Sequence, residues 1–322
     1  MKVAIVGDVH LTLRKYKEFE ENRFKLLIDE LIATKPHIVI FAGDLLDHAR
    51  PTLEEIELMY YGIDKLKSSG IKVQIISGNH EAITSSLSTY DLIMKKSKVF
   101  INNAQLIYLG HKPNVQLGIK MVGWTKVKEL SHIKTNDILV THLRANHGLL
   151  KEEYNIKLLS ESYSQVFMGD LHFRYSPYDN VHYTSSPYST KFTDGSLKDY
   201  GYIMLNSITK EWGYVDLNLP CKVKRKCTVK TLYDTLVGLE KHLVKIDISG
   251  TLEELKTLPT IDNVIYNKQV TDISSIVVNT NTSTINSPLD LLDDYVLASD
   301  LINKYPNKEV DIKNRLNELK GN

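Results

Sequence analysis

His37 to His48 reads HIVIFAGDLLDH: an apolar run that stops at Gly43-Asp44 and adds a second acid, Asp47, three residues on. Such a short, β-branched, uninterrupted run is the pattern of a strand buried on both faces. The same grammar stands at MKVAIVGDVH, with Asp8 and His10, and at VFMGDLHFRY, where Gly169-Asp170 is followed by His172. Working outward, Lys17 to Thr34 has helical spacing, with Phe24, Leu27, Ile28 and Leu31 on one face. Leu53 to Ser69 is a second helix, with Gly70 as its stop. Val73 to Ile76 is a third strand and ends in SGNHE. Strand–helix–strand–helix–strand order implies right-handed crossovers and a largely parallel sheet. Sites in such sheets form on loops at the carboxyl ends of the strands, where GDVH, GDLLD and GNHE all lie.

The pattern changes from about Asp91. Lys98 to Trp124 reads as short strands with turns at Gly110 and Gly118, and Asp137 to Thr141 as a buried strand ending in His142. Ser164 to Met168 is another, and Val181 to Tyr183, Tyr200 to Leu205 and Trp212 to Leu217 read as antiparallel strands. Together they predict a second sheet packed on the first, with helices outside. A boundary is expected near Pro220. HLVKIDISGTLEEL reads as strand–turn–helix and predicts a small α/β domain over 218–278. NTNTSTINSP reads as a linker over 279–288, and an amphipathic helical tail over 289–322 follows.

The 322 residues are 42% hydrophobic and 25% charged, ordinary globular values, and the formal net charge is +1. A polyanion partner must therefore be held by local patches or bound metal rather than by a global field. Cys221 and Cys227 form no CxxC pair, which argues against a disulfide scaffold or zinc–thiolate site and fits a reducing compartment. No secretory pattern and no membrane-length apolar run is visible, so a cytoplasmic protein is expected.

Five strand termini deliver Asp8, His10, Asp44, Asn79, His80, His142, Asp170 and His172 toward one edge of the fold. A solvated loop explains any one of them. Their conjunction fits a pair of divalent cations, one carboxylate bridging, with His and Asp completing each shell. Asp44 is the natural bridge, and a Gly before each Asp is expected to let the backbone turn sharply.

With DxH, GDxxD, GNHE, a later TH and a final GxxH in hand, the chain resembles the calcineurin-like metallophosphoesterase superfamily. GDLLDHARP, SGNHE, LVTHL and GDLHFRY resemble, within it, the SbcD-type nuclease subunits of double-strand-break repair, including those of phages. The resemblance implies a two-sheet α/β sandwich flanked by helices over 1–217, then the small α/β capping domain and the helical tail. It implies that Asp8, His10 and His172 hold one ion, shared through Asp44 with a second held by Asn79 and His142. His80 would act on the leaving oxygen, and Asp47 would orient His80 by a hydrogen bond. Water activated between two cations, Mn²⁺ or Mg²⁺, would attack phosphorus in line.

One departure stands out. The family usually has His where this chain has Asp170. The reading taken is ligand replacement, with Asp170 giving an oxygen to the second ion and favouring Mn²⁺ or Mg²⁺ over softer ions; the alternative is an acceptor for a metal-bound water. Arg50 beside the site, and Lys222, Lys224, Arg225 and Lys226 in the capping segment, are candidate DNA contacts, although a solvated edge strand guarded by lysine reads the same way. The resemblance further implies DNA as substrate, with 3′–5′ exonuclease activity on duplex ends and endonuclease activity on single strands. It also implies homodimerisation and a tail that docks on the coiled coil of an SbcC-like ATPase. A nucleotide or phosphoprotein phosphoesterase is the enzymatic alternative, and a DNA-end-binding scaffold with a decayed site is the non-enzymatic one.

Overall fold

The alternating apolar and helical segments build a largely parallel β-sheet, with an antiparallel pair at one edge and helices packed on its outer face. The structure is a computed structural model and describes residues 1–96, 107–108, 118–124, 130, 137–144, 154–194, 197 and 199–271. Strand β1 (Lys2–Val6), helix α1 (Lys17–Ala33), β2 (Ile38–Ala42), α2 (Leu53–Ser68) and β3 (Lys72–Ile76) follow in the expected order, and the three strands pair in parallel. A hairpin of β4 (Ala82–Thr84) and β5 (Leu87–Ser88) leads into α3 (Thr89–Lys96), and β6 (Ile107–Tyr108) pairs with β3. A second, four-stranded sheet contains β7 (Ile119–Val122), β8 (Ile138–His142) and, after α4 (Ile156–Ser162), β9 (Gln165–Gly169) and β10 (Val181–Tyr183), in the order β10-β9-β8-β7.

Two expectations are corrected here. Val181–Tyr183 runs parallel, not antiparallel, to its neighbour: Val181 lies opposite Val166 and Tyr183 opposite Met168. The loop Asp170–Asn180 carries the chain back to the start of β9, and the Val166 N–H donates to the Asn180 carbonyl at 2.8 Å to close the return. Nor do β11 (Gly201–Asn206) and β12 (Trp212–Asp216) belong to the second sheet. They extend the first, whose order is β12-β11-β1-β2-β3-β6. The register Lys2↔Asn206 and Ile5↔Ile203 puts Ile203 and Leu205 on the face that meets the second sheet. There, Val3, Ile5, Ile38, Ile40 and Ile76 pack against Met121, Ile138, Val140 and Phe167.

On the outer face, Phe24, Leu27, Ile28 and Leu31 of α1 are buried, as their spacing predicts, together with Met59, Ile63 and Leu66 of α2. Helix α2 starts with a capping box: the Thr52 hydroxyl accepts from the Glu55 N–H at 3.2 Å, and a Glu55 carboxylate oxygen accepts from the Thr52 N–H at 2.7 Å. The other Glu55 oxygen accepts from the Leu13 N–H at 2.8 Å, which ties the loop after His10 to this helix.

The capping segment comprises β13 (Lys222–Thr228), α5 (Leu232–Leu236), β14 (Leu243–Gly250), α6 (Leu252–Lys256) and β15 (Val264–Val270), a three-stranded parallel sheet with β14 central. Val223, Val244, Ile246 and Ile248 continue the apolar cluster of α1 and α2, and residues up to Val270 form one compact unit. A buried ionic cluster reinforces the junction. Arg23 pairs with Glu20 at 2.5 Å and donates to the Ser189 carbonyl at 2.6 Å, and the Lys222 ammonium lies 2.6 Å from the other Glu20 oxygen. The Arg23 guanidinium sits 4.0 Å over the Tyr188 ring. The expected linker and tail, 279–322, and most of the segment 98–117 lie outside the described residues.

Candidate metal centre

The carboxyl ends of β1, β2, β3, β8 and β9 bring seven of the sequence candidates to one place: Asp8, His10, Asp44, Asn79, His80, His142 and His172. Several sit in backbone conformations that L-residues avoid, with φ of 54° at Asp8, 49° at His10 and at Asp44, and 102° at Asp170. Each costs on the order of 1–3 kcal/mol, and such strain clusters where side-chain placement is functional. The expectation that the preceding glycines turn the chain holds at Gly43, whose φ is 87°. At Gly169 the requirement is space instead, because a Cβ there would strike the Ala42 carbonyl and the His142 ring.

The hydrogen bonds set the tautomers. His10 Nδ1 lies 2.9 Å from Asp47 Oδ1, an acceptor, so Nδ1 carries the proton and Nε2 the lone pair. His172 Nδ1 lies 3.0 Å from the Thr190 hydroxyl, which itself donates to Asp194 Oδ2 at 2.9 Å, so the His172 lone pair is also on Nε2. These two Nε2 atoms face each other at 3.0 Å. His142 repeats the pattern: Nδ1 is 2.9 Å from the Ala42 carbonyl, while Nε2 meets the Asn79 amide oxygen at 2.9 Å and Asp44 Oδ2 at 3.5 Å. Lone pairs facing lone pairs around two buried carboxylates, Asp8 and Asp44, require protons or cations between them. Donor atoms of Asp8, His10 and His172, and of Asp8, Asp44 and His142, lie within 4.8 Å of one another. Oxygen and imidazole donors in this mixture fit divalent cations.

Electrostatics point the same way. Burial pushes Asp8 up to about 7 against the pull of His142 and His172. Asp44 is lowered: burial opposes this, but His142, His10 and His80 outweigh it. Burial opposes the rise of His142, yet Asp44 and Asp8 hold it well above the ordinary histidine value. The cluster therefore attracts positive charge strongly.

His80 stands apart. Its Nδ1 lies 2.7 Å from the Asp47 backbone carbonyl and 3.6 Å from the Asp47 carboxylate, and Asp47 and Asp44 raise it to about 9. Asp47 thus reaches three imidazoles: its carbonyl directs His80, one carboxylate oxygen directs His10, and the other lies 3.2 Å from His48 Nε2. Glu81, quoted in SGNHE but given no role, is fully buried beneath them. It accepts from the Asp44 N–H (3.1 Å), the Gly78 N–H (2.7 Å), the Leu46 N–H (2.8 Å) and the Tyr90 hydroxyl (2.8 Å). It thereby pins the GDLLD and GNHE loops to each other.

Asp170 does not join the clusters through its carboxylate. Its backbone N–H donates to Asp8 at 3.0 Å, and its two carboxylate oxygens accept from Nε and an NH2 of Arg144, each at 3.0 Å. Arg144 had no part in the sequence reading, although LVTHLR places it two residues after His142. Among the predicted DNA contacts, Lys222 is engaged by buried Glu20 and has little solvent exposure, because it holds the capping segment in place. Lys224 pairs with Asp247 at 3.0 Å, and Arg225 donates to the Lys224 carbonyl. Lys226 and Arg50 are exposed. Cations that sequence reading missed, Arg14, Lys15, Lys191 and Lys245, line a cleft of about 440 Å³ that borders Asp47.

Residues 1–203 match the family model for calcineurin-like phosphoesterase. The DNA double-strand break repair protein Mre11 of Methanopyrus kandleri is 35% identical over 86 residues, 25% of this chain and 19% of that protein. The Mre11 of Saccharolobus solfataricus is 26% identical over 222 residues, 66% of this chain and 50% of that protein. The probable exonuclease subunit 1 of Escherichia phage T5 is 24% identical over 280 residues, 81% of this chain and 82% of that protein. The chain thus spans between a fifth and a half of the archaeal relatives' length. With the family model covering the whole region that builds the site, this chain belongs to the calcineurin-like phosphoesterases.

Proposed function

We propose that the protein is a DNA phosphodiesterase that works with two divalent cations, Mn²⁺ foremost and Mg²⁺ second. In this reading it is an SbcD-like nuclease that trims duplex ends 3′–5′ and cuts single strands. The observation that carries the reading is the convergence of imidazole nitrogens of His10, His142 and His172 on the Asp8 and Asp44 carboxylates beside His80, at a cleft lined by Arg144 and Lys191. Relatives named for double-strand break repair and for an exonuclease subunit favour DNA over a phosphoprotein or a free nucleotide.

Asp8, His10, His172 and Asp44 would hold one cation, and Asp44, His142 and Asn79 the other. Held there, divalent cations acidify the attacking water and neutralise charge on the phosphate. The chain's own groups do the rest. His10, His142 and His172 are held in one tautomer by Asp47, the Ala42 carbonyl and Thr190. His80, protonated at neutral pH, donates its Nε2 proton to the leaving oxygen while the Asp47 carbonyl keeps its Nδ1 side fixed. Asp170 anchors Arg144 and supplies its N–H to Asp8, a role in place of direct ligation.

A cytoplasmic location, an ATPase partner gripping the tail and a homodimer complete the proposal. Among the described residues, no helix is long and apolar enough to cross a membrane. The test is cleavage of end-labelled linear duplex and of circular single-stranded DNA in Mn²⁺, with and without chelator, by wild type and His80→Asn. Chelator-sensitive products, reduced about 10²–10⁴-fold by the substitution, support the reading. Intact DNA in Mn²⁺ overturns it.

A further inference from the structure

Phe173 follows His172 directly, yet it is 57% exposed on the wall of the catalytic cleft. A large apolar ring in water beside a polar centre invites a partner. Tyr175, itself 39% exposed, lies near it with ring centroids 6.5 Å apart at 64°, so the loop after β9 presents an aromatic ledge. The same cleft, about 460 Å³, is bordered by Asn79, His80, His172 and Arg144. That volume falls in the roughly 300–1,000 Å³ range of pockets that seat small ligands. The Arg144 side chain is 30% exposed, and the Asp170 carboxylate that grips it is 96% shielded from solvent, so the guanidinium is fixed in direction rather than loosely solvated. A fixed guanidinium suits a phosphodiester oxygen, and an exposed ring suits the face of a base.

We propose that Phe173 and Arg144 form a nucleotide seat: the ring stacks an unpaired base of the substrate strand, and the guanidinium, aimed by Asp170, holds a phosphodiester next to the scissile one. The proposal rests on the nuclease reading above and deepens it by naming single-stranded or frayed DNA as the form that enters the cleft. A base inside a duplex is already stacked on its neighbours and has no face to offer, so the seat selects strands that have opened. Arg144 and Lys191 offer positive charge to an anionic backbone there, beside the carboxylates of Asp44, Asp170 and Asp194.

The test uses the full chain and a single-stranded oligonucleotide carrying 2-aminopurine, in Ca²⁺ to hold back turnover. Wild type is expected to quench the probe on binding. Phe173→Ala should lose the quench and weaken binding between about 5- and 150-fold, whereas Phe173→Trp should keep both. Arg144→Ala should raise KM for the single strand more than it lowers kcat, and should reduce the salt dependence of binding by about 0.7 in the logarithmic slope. Arg144→Lys should restore only part, since an ammonium cannot fork onto Asp170. Unchanged quench and affinity in Phe173→Ala, with wild type cutting single strands, would overturn the seat and leave the nuclease reading standing. Loss of quench in Phe173→Trp as well would assign the ring a structural role and sink the stacking claim. A wild type that neither binds the single strand nor cuts single-stranded or duplex DNA in Mn²⁺ would remove both.

Discussion

Replacing Glu81 with Gln probes how the loops that carry the centre are held. The carboxylate accepts four hydrogen bonds, two on each oxygen, from Asp44, Gly78, Leu46 and Tyr90. An amide keeps one oxygen and turns its NH2 toward two of those donors. At least one backbone N–H is then orphaned in a fully buried site, and a second donor is lost or must turn round, as the Tyr90 hydroxyl can. Each buried donor left unmatched costs about 1–3 kcal/mol, so the substitution should cost about 2–6 kcal/mol. At about 2 °C per kcal/mol for a domain of this size, the melting temperature should fall by about 4–12 °C. Asp44 and Asn79 flank the broken contacts, so Mn²⁺ affinity should fall with stability. Urea unfolding of wild type, Glu81→Gln and Tyr90→Phe, in chelator and in Mn²⁺, reads both quantities. Tyr90→Phe removes one donor and should cost about a third as much or less. A Glu81→Gln protein within about 1 kcal/mol of wild type, with unaltered Mn²⁺ binding, would refute the reasoning.

Breaking the buried cluster by Glu20→Ala strands Arg23 and Lys222 without a counter-charge and should cost about 3–5 kcal/mol by denaturant melt, while replacing all three by apolar residues of similar volume should recover most of it. Gly43→Ala should abolish Mn²⁺ binding in calorimetry, because the added methyl meets the His142 ring at a positive φ. In the proposed mechanism the protonated form of His80 is the active one, and its value is raised to about 9, so kcat should be maintained below that value and fall as pH rises through it, with bound cations shifting the limb downward. The His80→Asn pH–rate profile should lack this limb.

The first three strands and two helices were legible because their signals are local: apolar runs end at Gly-Asp or Gly-Asn, and α1 buries the predicted face. The destinations of β10, β11 and β12 were not legible. Val181–Tyr183 and Tyr200–Leu205 read as strands, but the first pairs according to where the Asp170–Asn180 loop turns and the second pairs with the first strand of the chain, and composition encodes neither. At the site, residue types at strand ends identified Asp8, His10, Asp44, Asn79, His80, His142 and His172 as one group, and the structure brings them together. Arg144 was missed because an arginine two residues beyond a strand end has no signature until its partner Asp170 is placed. Glu81 was overlooked because its four donors are backbone or distant groups. Lys222 read as a surface cation because its counter-charge, Glu20, comes from the first helix.

The most direct measurement is a comparison of kcat/KM in Mn²⁺ for a short DNA phosphodiester, a nucleoside monophosphate and a phosphopeptide, with Asp44→Asn as the dead control. Preference for the diester by at least an order of magnitude, lost in the control, is the predicted result. Hydrolysis of the monoesters with DNA left whole would contradict the account and make the chain a phosphatase.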